Sequence, residues 1–302
     1  MAIKELKLDF LGKIKKPEFQ VRRRMLSRIL EGELAASFKG KGIEFTGYRK
    51  YVYGDDASLI DWPATLRAKD TLIREYEEYR NFQIFVLFDV SDSMLCSSTE
   101  QLKCEYAAEL VFSIIYSVVN SGNKIGLSMF SSELVTRKTP QSGTKNYYHI
   151  LQDLMNPNNY GGKFNLKKSL MQTRALLGEK SLVIIVSDFL GLEEGWERYI
   201  RMLSRDFDIL GIMISDPRDR ELPPDTGQFL LEDPYTGERL QIDTKDYAKL
   251  YAKKAKEEEE NIRIKFQTAK AGLISVSTTE DFLKPLLKFM RLRARLMMKT
   301  RG

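Results

Sequence analysis

The chain has 302 residues, 43% of them hydrophobic, which suffices for one large core or for one core and a smaller module. Its charged N-terminus is unlike a signal peptide, and no run approaches the roughly 18 apolar residues of a membrane span, so we expect a soluble protein. Cys96 and Cys104 are too few for a disulfide framework or a zinc site, which favours a reduced, cytoplasmic setting. The net charge of +6 reflects residues 13–28 and 284–301, which hold seven basic residues each, whereas the rest of the chain is net acidic.

The first 80 residues differ in pattern from the rest of the chain. Residues 18–31 are predicted to form a basic helix, and residues 38–80 are turn-rich and glycine-spaced, without helical periodicity. We therefore predict two units, a small N-terminal module at residues 1–80 and a larger domain at residues 81–302 against which it packs.

From residue 82 onward, short apolar runs alternate with helical patterns, which is typical of βαβ units and a parallel sheet. The first four runs are nearly continuously apolar, as strands covered by helices on both faces must be. Strands are predicted at residues 82–88, 125–130, 181–187, 209–214 and 273–277, with helices at 99–120, 163–177, 193–204, 246–269 and 279–298. A hairpin at residues 227–244 is predicted to lie at the sheet edge. The fold class predicted is α/β, a mostly parallel sheet with helices on both faces.

The most informative segment follows the first of these strands, where Asp89, Ser91 and Ser93 stand at alternate positions. In an open parallel sheet, ligands gather beyond the carboxyl ends of the strands. One carboxylate and two hydroxyls there are suitable ligands for a hard cation. Asp188 ends a later strand in the same way and is expected to face the same ion, through water.

The structural alternative makes these residues ordinary turn and cap residues, because Asp and Ser are common in loops. One detail argues against it. Ser98 and Gln101 predict a capping box that already starts the next helix, so the loop is not needed for that purpose.

The Asp89, Ser91 and Ser93 pattern, with Asp188 after a later strand, resembles the metal-ion-dependent adhesion site of von Willebrand factor type A domains. The resemblance implies a Rossmann-like fold that binds Mg²⁺, with Mn²⁺ or Ca²⁺ as alternatives, and that captures an acidic group of a protein partner.

The adhesion-site pattern also takes a Thr from a loop before a middle helix, where this chain has Lys163 and Phe164. Asn165 could offer an amide oxygen instead. Alternatively, the Lys163 ammonium could lie near the carboxylates and replace the ion.

The upstream module resembles the signature of the domain-of-unknown-function 58 family, which in that family precedes a von Willebrand type A-like domain. The signature residues are Gly40, Gly42, Glu44, Phe45, Arg49, Tyr51, Gly54, Asp55, Asp56, Ile60, Asp61, Trp62, Arg67, Leu72, Arg74 and Glu77. In bacteria such proteins are often encoded beside a MoxR-type AAA ATPase, which is the partner that the resemblance implies. The chain itself has no phosphate-binding loop. Judged by residue type alone, the signature could form turns and internal ion pairs, or Tyr51 and Trp62 could anchor a partner.

We therefore expect a non-catalytic interaction protein, and two alternatives stay open. Asp89 could be the nucleophile of a metal-dependent phosphatase or hydrolase, although a haloacid-dehalogenase-like enzyme would carry Asp at position 91. The single histidine, His149, is expected on a helix surface or in packing rather than as a base. The basic ends could contact a membrane or nucleic acid, although no RNA-binding signature accompanies them. The apolar stripe of residues 283–298 fits a membrane-surface helix or, more simply, core packing.

Overall fold

A computed structural model describes residues 6–10, 12, 24–27, 43–68, 70–78, 83–178, 181–223 and 227–290, with only the backbone at 43–46, 75–78, 229 and 246. Most of the predicted basic helix at residues 18–31, and the part of the final helix beyond residue 290, lie outside the described residues. Residues 24–27 of the former are helical.

The described strands form three sheets. They are β1 (Ile43–Lys50), β2 (Leu72–Glu78), β3 (Gln83–Asp89), β4 (Lys124–Phe130), β5 (Lys138–Gln141), β6 (Ser181–Ser187), β7 (Asp208–Ser215), β8 (Gln228–Glu232), β9 (Arg239–Asp243) and β10 (Gly272–Ser277). The described helices are α1 (Trp62–Ala68), α2 (Lys103–Asn120), α3 (Thr144–Met155), α4 (Leu166–Leu176), α5 (Glu197–Leu203), α6 (Pro217–Arg220), α7 (Thr244–Thr268) and α8 (residues 283–290).

The central sheet has the order β10-β7-β6-β3-β4-β5, and only β5, at one edge, is antiparallel to its neighbour. Numbered within this sheet alone, the strands read 3-2-1-4-5-6 from the β5 edge, which is the doubly wound order. The direction of winding reverses between β3 and β6. Ligands of such sheets bind beyond the carboxyl ends of the strands at this switch point. The predicted α/β class is confirmed.

Helices cover both faces of the sheet because alternate residues of each strand point to opposite sides. Ile84, Val86 and Phe88 of β3 pack in one layer with α2, α3 and α8, whereas Phe85 and Leu87 pack in the other with α4, α5 and α7. Burial on both sides explains the nearly continuous apolar sequence of the strands. Each fully buried side chain of this kind contributes about 1.5–3 kcal/mol.

Part of the N-terminal segment packs into the main core. Phe10 stacks on Phe112 of α2 at 4.5 Å between ring centroids, and Leu26 is 1% exposed in the same layer. Strands β1 and β2, in contrast, form a separate antiparallel sheet of two strands among the described strands, and α1 lies between them in the chain. The division of the chain at residue 80 stays a prediction.

The stripe on the final helix is part of the core in the described residues. Leu283, Leu286 and Met290 are at most 7% exposed and pack in the α2 layer. Core packing therefore accounts for residues 283–290. Over the described ranges, we find no helix that combines the length and apolarity needed to cross a bilayer.

Two local predictions were wrong. The hairpin β8–β9 forms its own two-stranded sheet and does not lie at the edge of the central sheet. The capping box of Ser98 and Gln101 is not formed, and α2 begins only at Lys103 because Glu105 accepts the Leu102 N–H at 3.0 Å. Ser98 instead donates its backbone N–H to Asp216 at 2.8 Å, since tertiary structure brings β7 and this loop together.

Candidate functional site

Strands β3 and β6 place Asp89 and Ser187 side by side at the switch point. Ser187 Oγ donates to Asp89 Oδ2 at 2.6 Å, and the backbone N–H of Phe189 donates to the same hydroxyl at 2.9 Å. The other carboxylate oxygen of Asp89 accepts the Ser91 N–H at 2.9 Å. The carboxylate is therefore held between the ends of two neighbouring strands in a fixed orientation.

Asp89 has no positively charged partner among the described residues, and its side chain is fully buried. Burial is the main cause that raises the pKa of Asp89 to about 7, and the negative charge of Asp188 raises it further. The hydrogen bonds from Ser187 and Ser91 oppose this shift without cancelling it. Desolvation of an unpaired carboxylate is costly, and either a bound proton or a nearby cation relieves that cost.

Asp188 is placed differently, because it already has a cation beside it. The Lys103 ammonium, at the first turn of α2, lies 2.7 Å from Asp188 Oδ2 and 3.1 Å from Asp219 Oδ2. Burial alone would lower the pKa of Lys103, but the charges of Asp188 and Asp219 raise it overall. The Leu190 N–H also donates to Asp188, at 3.0 Å. Two acids thus share this single buried lysine, and Asp89 is not paired with it among the described contacts.

The two serines of the loop lie next to each other and share a third hydroxyl. Ser91 Oγ and Ser93 Oγ are 3.4 Å apart, and both are at most 1% exposed. The phenol oxygen of Tyr235, from the connection between β8 and β9, lies 2.8 Å from Ser93 Oγ and 3.2 Å from Ser91 Oγ. The structure therefore brings Asp89, Ser91 and Ser93 together as a cluster of oxygen atoms, with Asp188 near it.

The segment where a Thr is expected contacts the Asp-x-Ser-x-Ser loop through backbone groups. The Gly161 N–H donates to Val90 O at 2.6 Å, and Gly162 exchanges two hydrogen bonds of 2.9 Å with Asp92. Gly162 has φ +103, a conformation that glycine adopts without strain. These contacts fix the Asp-x-Ser-x-Ser loop against the neighbouring loop.

The side chains proposed to replace the Thr lie elsewhere. Lys163 is exposed and pairs with none of the described acids, so the idea that its ammonium replaces the ion was wrong. Lys103 is the cation at the carboxylates instead. Phe164 is buried against Phe130, with ring centroids 5.9 Å apart, and Asn165 caps α4 by accepting the Lys168 N–H at 2.8 Å.

The charged residues of the upstream signature mostly satisfy one another. Arg49 makes two hydrogen bonds to Asp55, at 2.7 and 2.9 Å, and they lower the pKa of Asp55 to about 2. Asp56 accepts the Ser58 N–H at 2.9 Å and so caps a short turn. These residues shape the connection between β1 and α1.

Asp61 organises the rest of the signature module. It is 6% exposed and accepts from the Tyr48 hydroxyl and Arg74 Nε, each at 2.9 Å, and from the Ala64 N–H at 3.1 Å. The backbone bond from Ala64, followed by the contact with Arg74, lowers the pKa of Asp61. Asp61 thereby starts α1 and joins it to both strands.

Other signature residues face solvent. Trp62 is 63% exposed, Tyr51 is half-buried, and Arg67 is exposed beside an open cleft that Tyr48 and Arg74 also line. Glu44 belongs to β1, but its side chain lies outside the described residues. His149 is exposed on α3, as expected.

Sequence reasoning missed three side chains of the switch-point site: Lys103, Ser187 and Tyr235. Ser187 had a detectable signal, because it stands beside Asp188 at the end of an apolar strand. Lys103 and Tyr235 had none, since their contacts connect residues 85 and about 140 positions apart.

A doubly wound α/β domain with an Asp-x-Ser-x-Ser loop at its switch point is a von Willebrand factor type A-like domain. The chain belongs to the DUF58 family, because the model of the family described as "Protein of unknown function DUF58" matches residues 47–261.

Relatives of this chain occur in mycobacteria. The uncharacterized protein Rv1480 of Mycobacterium tuberculosis is 26% identical over 280 residues, which cover 90% of this chain and 86% of that protein. The uncharacterized protein MAV169 of Mycobacterium avium is 31% identical over 121 residues, which cover 38% of this chain and 68% of that protein.

Solved structures resemble the chain at low sequence identity. BatB from Bacteroides thetaiotaomicron, described as a conserved hypothetical protein, is 13% identical with a TM-score of 0.48, over 71% of this chain and 99% of that one. A von Willebrand factor type A protein from Catenulispora acidiphila is 11% identical with a TM-score of 0.44, over 75% of this chain and 44% of that one.

Proposed function

We propose that this protein is a non-catalytic interaction module whose switch-point site binds a divalent cation and, through it, an acidic group of a protein partner. The observation that supports this most directly is the state of Asp89. A fully buried carboxylate beside two serine hydroxyls, without a described cationic partner, is a site prepared for a positive charge.

The oxygen atoms of the site match what a hard cation requires. Asp89, Ser91 and Ser93 would hold Mg²⁺, with Mn²⁺ or Ca²⁺ as alternatives, because these ions prefer carboxylate, hydroxyl and water oxygens. Asp188 would act from further out, since Lys103 already pairs with it. The bound ion would keep residual positive charge and so attract a carboxylate of the partner.

The partner that we propose is a MoxR-type AAA ATPase, on the basis of the family resemblance. The absence of a phosphate-binding loop from this chain agrees with a division in which the ATPase supplies the energy. The DUF58 family and the von Willebrand type A-like fold together suggest an interaction module, for which we propose this ATPase as the partner.

A nucleophilic role for Asp89 is less consistent with its surroundings. Its side chain has no exposed surface, and both of its oxygens accept hydrogen bonds from the adjacent strand ends. A nucleophile must reach its substrate, and Ser91 stands where the second acid of a dehalogenase-like phosphatase is expected. We therefore propose that the site binds and does not catalyse.

The cation-binding proposal is tested by calorimetric titration of the purified protein with MgCl₂, MnCl₂ and CaCl₂. Asp89→Asn is expected to abolish binding, because it removes the one uncompensated carboxylate while keeping its shape. Asp206→Asn is the matched control, since it removes an equal charge just before β7, at the amino-terminal end of the strands, where Asp206 pairs with the exposed Arg174. Binding that survives in the Asp89 variant, or is absent from the unaltered protein, would exclude this site.

Capture of the ATPase is a separate measurement on the same proteins. A purified MoxR-type ATPase from the same organism should be retained by the immobilised chain in Mg²⁺ and released by EDTA. Retention that is insensitive to EDTA and to Asp89→Asn would show that the cation plays no part in the contact.

We also propose that the surface around Trp62 contacts the same partner. Trp62 and Leu66 stand four residues apart on α1, are 63% and 84% exposed, and so form an apolar stripe on one helix face. The exposed Arg67 lies next to them and would favour an acidic partner.

The chain offers its own reporter for this contact. Trp62 and Trp196 are the two tryptophans, and Trp196 is 3% exposed in the core. In protein labelled with 5-fluorotryptophan, the ATPase should shift the ¹⁹F signal of Trp62 and leave that of Trp196 in place, with Trp62→Phe giving the assignment. An unchanged Trp62 signal in the saturated complex would place this surface outside the interface.

A further inference from the structure

The connection between β8 and β9 holds Tyr235 in a fixed position. Asp233 Oδ1 accepts the backbone N–H groups of Tyr235 and Thr236, at 2.7 and 2.9 Å, and the Gly237 N–H donates to Asp233 O at 2.9 Å. The two N–H bonds lower the pKa of Asp233, with that from Thr236 the larger cause. Gly237 has φ +71, which completes the tight turn. The turn is therefore ordered by its own residues and projects a single aromatic side chain.

This side chain ends among the serines of the switch-point loop. Its hydroxyl contacts Ser93 Oγ and Ser91 Oγ and lies 3.4 Å from Leu190 O. Burial and the nearby charge of Asp188 raise the pKa of Tyr235, so the phenol stays protonated near neutral pH. Its neutral hydroxyl can donate to one serine and accept from the other.

The path of the ring also depends on its surroundings. A Cβ atom placed on Gly191 would lie 3.0 Å from Tyr235 Cε2, closer than nearly all real contacts of this kind. Gly191 follows the β6 strand end, so the loop after Asp188 leaves a space that the tyrosine ring uses. The ring thus packs beside Gly191 while its hydroxyl contacts the buried Ser91 and Ser93.

We infer that Tyr235 is the affinity-determining residue of this site, because its hydroxyl takes the place on Ser91 and Ser93 that a cation and the partner's acidic group would need. The hairpin β8–β9 is then a closing segment that must move before the site can bind. This inference rests on the function proposed above and states how that same site is controlled.

The hairpin is built in a way that allows this movement. Strands β8 and β9 pair only with each other, so their displacement breaks no hydrogen bond of the central sheet. Leu230 and Leu240 are 57% and 63% exposed. Among the described side chains of the two strands, Ile242 is the apolar one that is buried. Segments with few buried apolar contacts open at low free-energy cost.

The inference is tested with Tyr235→Phe, which keeps the ring and removes the hydroxyl. Calorimetric titration with MgCl₂ should show affinity raised roughly 5- to 30-fold, which corresponds to the loss of one or two net hydrogen bonds that compete with the ion. Hydrogen exchange at residues 228–243 should become faster in the same variant without metal. Tyr247→Phe, at a tyrosine 50% exposed on α7, is the control and should change neither measurement.

The possible outcomes distinguish the role of Tyr235 from the proposed cation-binding function. Equal Mg²⁺ affinity of the unaltered protein and Tyr235→Phe would overturn the role of Tyr235 and leave the proposed function standing. Lower affinity in the variant would make the phenol a ligand of the ion and would also overturn the inference. If neither protein binds Mg²⁺, Mn²⁺ or Ca²⁺, the proposed function fails, and the inference fails with it.

Discussion

Replacement of Lys103 by methionine is expected to lower the free energy of unfolding by about 3–5 kcal/mol, the usual effect of breaking a buried ion pair on one side. Lys103 and Asp188 are each 1% exposed at their side chains, and their charged atoms are 2.7 Å apart. Methionine fills most of the lysine volume, so the loss would come mainly from the charge left on the buried Asp188, with a smaller part from the more exposed Asp219, and not from a cavity. Urea unfolding at about pH 7 measures this loss of stability, and the dependence of the unfolding free energy on urea concentration should not change.

Two further variants make this prediction specific. Asp188→Asn combined with Lys103→Met should recover most of the lost stability, because no unpaired charge of this pair then stays buried. Lys168→Met is the matched control, since Lys168 pairs with Glu133 at 2.9 Å while both side chains are about half exposed, and it should cost at most about 1 kcal/mol. A loss below about 1 kcal/mol in Lys103→Met would mean that Asp188 does not depend on this lysine.

Asp89→Asn is expected to stabilise the protein in EDTA at about pH 8, by on the order of 2–4 kcal/mol. The pKa of Asp89 is raised to about 7 in the folded state from an ordinary value of 3.8, so the folded state binds its proton more tightly than the unfolded state. Stability from this group is therefore lost as pH rises from about 4 to 7, and each pKa unit corresponds to about 1.4 kcal/mol. Asparagine keeps the shape and avoids the buried charge.

The gain should shrink as the pH is lowered and vanish near pH 4, where the aspartic acid is protonated in both states. Thermal unfolding of both proteins across this range measures the difference. Asp55→Asn should instead destabilise the protein at neutral pH, because Arg49 lowers the pKa of Asp55 and the charged form stabilises the fold. A loss of stability in Asp89→Asn at pH 8 would mean that the negative charge is compensated in the folded protein.

The stability changes expected for Lys103→Met and Asp89→Asn bear on function because both depend on the negative charge of the switch-point site. Lys103 neutralises Asp188 in part, and Asp89 is left without such a partner in the described structure. A protein selected for stability alone would gain by replacing Asp89. A carboxylate that destabilises the fold at a switch point fits a binding role, because the proposed cation would compensate its charge.

Local sequence patterns were sufficient to predict the two strands whose ends form the site. The apolar runs ending at Asp89 and at Ser187 are strands β3 and β6, because continuous burial on both faces needs such runs. The Asp-x-Ser-x-Ser spacing likewise places three oxygen-bearing side chains at one sheet end. Helix starts were predicted less well, since Ser98 found a distant partner in Asp216 in place of its own helix.

The sequence by itself determined the α/β class, the strands that carry the site and the family to which the chain belongs. All of these depend on residue patterns within short stretches, where burial and backbone geometry act locally. Only the tertiary structure decided that Lys103 pairs with Asp188, that Lys163 stays in solvent and that the Tyr235 hydroxyl contacts both serines. Such contacts join residues far apart in the chain, and the packing of helices and a hairpin over the sheet brings them together.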